Sequence, residues 1–134
     1  MSLLDKSAIL AAGDLPTEEI HVPEWGGTVR LRGLSGAERS RLEATMIASK
    51  GQSVNVRTEA LRTLRERLLA LCLVDANDNR LFTDDEISEL GRKSGAVLQR
   101  LFERAQQLSG MGQDDAEEMT GESAGGPSEG SASA

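Results

Sequence analysis

Residues 56–74, VRTEALRTLRERLLALCLV, place Leu61, Leu64, Leu68 and Leu71 at spacings of three, four and three. That period predicts one long amphipathic helix over 56–74. Leu69, Cys72 and Leu73 widen its stripe, and an apolar face this broad has to be covered by other elements. Arg57, Arg62, Arg65 and Arg67 occupy the remaining faces and read as a solvated surface, with Arg62 and Glu66 as an i,i+4 pair.

What can cover the stripe is limited by composition. The chain has one tryptophan, two phenylalanines and no tyrosine. Its core must therefore be aliphatic, which favours helices over a sandwich or barrel. Two further helices are expected. One runs over 34–49, opened by a Ser35–Glu38 capping box, with Ala37, Leu42, Met46 and Ile47 as its modest apolar face. The other runs over 95–108, with Val97, Leu98, Leu101, Phe102, Ala105 and Leu108 on one side and Ser109–Gly110 as its stop. KGQSVN, residues 50–55, separates the first of these from the leucine-rich helix, and a short helix is expected from Asp84 to about Lys93.

The β signal is EIHVPEWGGTVRLR, residues 19–32, where apolar and polar residues alternate on both sides of a Pro- and Gly-containing turn. Pairing Val22 with Val29 sets Ile20 opposite Leu31 and Glu19 opposite Arg32, across a four-residue EWGG connection. Trp25 at the tip either folds back onto a helix or stands out as a partner-binding residue. The expected fold is α+β and mainly α: a β-hairpin packed against about four helices. Residues 1–14 form a separate segment that can take a helix, and 15–110 form one compact domain. Residues 111–134 form a disordered acidic Gly/Ser-rich tail, too poor in apolar residues to offset ordering entropy.

DANDNRLFTDDE, residues 75–86, is a calcium-loop lookalike. Asp75, Asn77, Asn79 and Glu86 stand where an EF-hand loop places oxygen ligands. Arg80 occupies the position of the turn glycine, and only Asp75 and Glu86 supply carboxylates at ligand positions. The same residues also make a post-helical turn, with Leu81 and Phe82 tucked into the core and Thr83–Glu86 as a capping box. The turn explains the residues better, and no metal or cofactor is assigned.

His21 lies on the polar face of a strand with no metal-ligand companion. Cys72 sits in the leucine-rich helix with no catalytic partner. With no phosphate loop or paired catalytic carboxylates either, the chain reads as a binding module and not an enzyme. The net charge of −7 is concentrated in residues 112–134, which hold six acids and no base. The near-neutral remainder gives no electrostatic case for nucleic acid. No apolar run approaches the roughly 20 residues needed to span a membrane, and a lone cysteine fits a reducing compartment.

Two stretches carry a resemblance to a known family. LLDKSAILAAGDLPTEEIHVPEWGGTVRLRGLSGAERSRLE resembles the N-terminal region of tail assembly chaperones from long-tailed bacteriophages. LVDANDNRLFTDDEISELGRKSGAVLQRLFERAQQLSG resembles their C-terminal half. VPEWGGTVRLRGLSGAER is the most specific piece. The resemblance implies a non-enzymatic protein of the host bacterial cytoplasm, absent from the mature virion. It implies that the chain binds the apolar, helical tape measure protein and keeps it soluble while tail-tube proteins assemble around it. It also implies that a longer, frameshifted form can exist, and it assigns no catalytic residue. Two other readings remain open at this level: a minor tail or head–tail connector component, and a calcium-responsive module acting through residues 75–86.

Overall fold

The computed structural model describes residues 2–112; the acidic segment expected beyond them lies outside the described residues. Among those residues the chain forms six helices and one three-stranded antiparallel sheet. In order they are α1 (Lys6–Ala11), β1 (Thr17–Val22), β2 (Gly27–Arg32), α2 (Gly36–Ser49), α3 (Val54–Arg62), α4 (Leu64–Cys72), β3 (Leu73–Val74), α5 (Ile87–Leu90) and α6 (Gly95–Leu108). The fold is α+β and mainly α.

Helix α4 is the centre. Leu68, Leu69, Ala70, Leu71 and Cys72 are consecutive and all buried, and Leu64 and Glu66 are buried ahead of them. No side of its last two turns faces water, so α2, α3, α5, α6 and the sheet gather around it. Burying each leucine there is worth roughly 1.5–3 kcal/mol. The expected single helix over 56–74 is in fact interrupted at Thr63 (φ −103°, ψ 8°), whose hydroxyl donates to the Glu59 carbonyl at 2.8 Å. A side chain that bonds back into the preceding turn offers the backbone an alternative to continuing the helix. The predicted Arg62–Glu66 pair does not form: Arg62 reaches back to Glu59, and the buried Glu66 is held by Arg65. The helix also ends at Cys72, because Leu73 and Val74 become β3 and pair with Leu31 and Arg30 of β2.

The hairpin forms with its faces as expected and its register shifted by two residues. Ile20 faces Val29, Glu19 faces Arg30 and Val22 faces Gly27. Pro23 opens a tight 3-10 turn over Pro23–Trp25, and Gly26, at φ 75°, closes it. That turn consumes residues 23–26 and leaves Gly27 to the strand. A shift of two preserves which side chains face the core, so the alternation survives the wrong pairing.

Helix α2 is capped as the sequence indicates: Ser35 Oγ accepts the Glu38 N–H, and Glu38 Oε1 accepts the Ser35 N–H at 2.9 Å. The second Glu38 oxygen accepts from Arg32 at 2.6 Å, so one carboxylate joins the helix start to β2. Helix α6 ends in a Schellman arrangement, with Gly110 at φ 70°, its N–H bonded to Gln107 and the Met111 N–H bonded to Gln106. Met111, the first residue of the expected tail, is consequently buried in the core.

Gly33 sits where β2 meets the end of α6, its N–H donating to the Pro16 carbonyl at 2.8 Å. A Cβ at this position would press on the Leu108 carbonyl and sit 3.2 Å from Pro16 Cδ. Gly33→Ala is therefore expected to destabilise by about 1–3 kcal/mol, the usual cost of overpacking, while Gly36→Ala, with open space around it, does not. Urea unfolding of the two variants checks this.

Candidate functional site: a groove between α2 and α3

Helices α2 and α3 diverge to leave an open groove of about 620 Å³. Thr45, Ala48 and Ser49 line it from α2, Val56, Glu59 and Ala60 from α3, and Arg67 of α4 also borders it. Its inner positions are small, because Ser49 and Ala60 are the buried residues there. One link between the two helices comes from Arg57, whose guanidinium donates to the Met46 carbonyl and to Ser49 Oγ, both at 2.7 Å. This arginine satisfies a carbonyl near the end of α2 and is not simply part of a solvated face.

Apolar side chains stand unburied on these helices. Ile47 is 59% exposed, Val54 80% and Val56 48%. The sequence reading placed Ile47 in the α2 core face, and the structure corrects it. Leu42, Met46 and Ser49, at spacings of four and three, form the buried line, and Ile47 lies about 100° around the helix from Met46. Ala37 is exposed for the same kind of reason. Sequence reasoning missed this groove. Its one visible signal was Val56, an aliphatic residue off the dominant stripe just after KGQSVN.

Trp25 lies elsewhere. Arg100 pairs with Glu24 at 3.1 Å and Arg104 with Glu18 at 2.6 Å, two charge pairs one helical turn apart that strap the hairpin along α6. The Glu24 carboxyl is held below its ordinary pKa chiefly by its hydrogen bond from Arg100. Within this strap Trp25 is half-buried and packs against the core.

The 75–86 segment leads from β3 to α5, not from helix to helix, and turns back on β3 through a bridge between Val74 and Arg80. Asp75 Oδ1 accepts the N–H groups of Asn77 and Asn79 at 2.8 and 3.0 Å, and Asp78 adopts φ 66°. Asp78 is held by Arg30 at 2.7 Å, a bond that lowers its pKa. Arg80, the residue that breaks the calcium pattern, donates to the Ala70 carbonyl at 2.9 Å and to Asp84 at 3.0 Å. It therefore closes the C-terminal end of α4, where carbonyls lack helical partners. Its bond to Asp84 also lowers that carboxyl's pKa, with Arg41 adding to the effect. Glu86 completes the capping box with Thr83, accepting the Thr83 N–H at 2.8 Å. Phe82 packs against the core, whereas Leu81 is 51% exposed, contrary to expectation. Among the described residues no cluster of three or more His, Cys, Asp or Glu side chains is placed to hold a metal ion.

Cys72 is fully buried with Sγ 3.9 Å from Ser109 Oγ, and burial pushes its thiol pKa up to about 12. A thiol so far from ionisation is a packing residue. His21 is exposed on the polar face of β1.

A family model for phage tail assembly chaperones matches residues 6–121, most of the chain and all of the groove. This protein belongs to the phage tail assembly chaperone family. A solved structure of the bacteriophage HK97 tail assembly chaperone is similar to it, with 27% identity and a TM-score of 0.53 over 70% of this chain and 85% of that one. Among curated proteins no sequence matches significantly. Membership in a chaperone family points to a non-enzymatic role in association with tail proteins, and no described helix is long and apolar enough to cross a membrane.

Two outcomes follow from these placements. Calcium titration by calorimetry is expected to show no specific site, since Asp75 and Glu86 are engaged with backbone amides; micromolar binding abolished by Glu86→Gln would contradict this. Trp25→Ala is expected to lower stability by about 2 kcal/mol, somewhat less than truncation of a fully buried tryptophan. Unchanged stability with lost partner binding would make Trp25 an interface residue instead.

Proposed function

We propose that this chain binds apolar helical segments of the phage tape measure protein and keeps that protein soluble in the host cytoplasm while the tail-tube protein assembles around it. The observation that carries the reading is the family match across residues 6–121. The α2–α3 groove supports it physically. Helix-in-groove recognition lays the apolar face of a partner helix into a cleft lined by small and aliphatic side chains, and Ala48, Val56 and Ala60 provide such a lining.

The chemistry suits a temporary hold. Ala48 and Val56 offer apolar area but no aromatic hot spot, so each contact is weak and reversible. Burying client side chains there removes them from water and from each other, which suppresses aggregation. The six acids and no bases of residues 112–134 add negative charge that opposes association between complexes. On this reading the chaperone leaves before the tail is complete and is absent from the virion.

Co-expression with the tape measure protein tests the proposal. The wild-type chain should raise the soluble yield of tape measure protein several-fold and co-purify with it. Val56→Asp, at a site already half-exposed, should fold normally by circular dichroism and lose most of that yield. A tape measure protein that stays insoluble with the wild-type chain would contradict the proposal.

A further inference from the structure

Arg67 is the one cation among the described residues that lines the α2–α3 groove. It reaches the groove from α4 and is half-buried there. Its Nε donates to Thr63 Oγ1 at 2.9 Å, and the same hydroxyl donates to the Glu59 carbonyl at 2.8 Å. The break between α3 and α4 therefore orients this guanidinium as well as the two helices. With Nε engaged, the edge carrying the two terminal nitrogens is left for a ligand. That edge matches a carboxylate through two parallel hydrogen bonds.

The acids nearest the groove are already committed. Glu59 lines it, but the Glu59 carboxylate is held by Arg62. Beyond Thr45 and Arg67 the groove continues into a smaller recess of about 60 Å³ that also holds Arg41 and Asp84. Both Asp84 oxygens are taken there, Oδ2 by Arg41 at 2.8 Å and Oδ1 by Arg80 at 3.0 Å. Three arginines thus gather at this end around one carboxylate, and the end is left positive. The other end, at the connection between α2 and α3, carries the uncharged amides of Gln52 and Asn55.

We propose that Arg67 determines the specificity of the groove by pairing with a carboxylate on the helix seated in it. This rests on the groove being the client site, as proposed above, and adds which segments it takes. The occupant is an amphipathic client helix whose apolar residues sit on Ala48, Val56 and Ala60. It carries Asp or Glu three or four positions from the last of them, since that spacing puts both on one helical face. Apolar contact holds any such helix, whereas the ion pair at the rim sets which helix is chosen and in which direction it lies. A segment with Lys or Arg at that place is rejected by like-charge repulsion.

Fluorescence anisotropy of the full chain with synthetic tape measure peptides tests this. Each acid-bearing amphipathic peptide is compared with copies in which the acid is Gln or Lys. The wild-type chain should bind the acidic form about fivefold more tightly than its Gln copy, and the preference should shrink as salt is raised. Arg67→Gln should bind the two equally, and Arg67→Glu should prefer the Lys copy, a reversal that a merely structural role for Arg67 does not produce. Where Arg67→Glu fails to fold by circular dichroism, Arg67→Lys decides, since it keeps the cation and should retain part of the preference that Arg67→Gln loses. If the wild type binds the peptides and Arg67→Gln keeps the full preference for the acidic form, the inference is overturned and the client reading stands. If the wild type binds none of them, the client reading falls and the inference falls with it.

Discussion

Burial of α4 on every side is the constraint from which the rest of the structure follows. A helix with five consecutive buried residues, Leu68 to Cys72, cannot lie on a surface. Most of the described chain beyond the N-terminal segment is arranged to cover it or to close its ends. Helix α6 covers one flank, α2 and α5 cover others, and the sheet takes over where α4 stops, since Leu73 and Val74 continue directly into β3. Its C-terminal end is completed by Arg80, which donates to Ala70 and is itself steadied by Asp84. The segment that looks like a cation site is thus part of the machinery that ends the central helix.

Covering α4 also explains where apolar surface is left over. Helix α3 is offset from α4 by the break at Thr63, and it buries only Ala60. Helix α2 commits one narrow line, Leu42, Met46 and Ser49, to the core. Between two helices that each use so little of themselves, a groove stays open. Under the proposed function this groove is the apolar surface offered to the client, on a domain whose own core is complete.

Features written in local periodicity were legible in the sequence. The Ser35–Glu38 and Thr83–Glu86 capping boxes, the span of α6 and the alternation of the hairpin all depend on residues within a few positions of one another. Other features were not legible, two of them local and the rest set by distant partners. The break at Thr63 turns on a hydroxyl that bonds back to Glu59, and the two-residue register shift on the turn that Pro23 begins. The conversion of Leu73–Val74 from helix to strand depends on β2, some forty residues away. The charge pairs Glu18–Arg104 and Glu24–Arg100 join residues more than seventy positions apart. The groove was invisible because it depends on how α2 and α3 sit against each other, which no local pattern states. The resemblance, by contrast, lay in an ordered run of residues and led to the family that the match over residues 6–121 establishes.

Hydrogen–deuterium exchange, with and without a soluble helical fragment of the tape measure protein, tests the central claim that the client is held in the α2–α3 groove of an otherwise complete domain. The account predicts slowed exchange across residues 45–60 on addition of the fragment. It also predicts that α4 is strongly protected in both states, because its amides are already buried. Protection confined to the hairpin or to α6, with residues 45–60 unchanged, would contradict it.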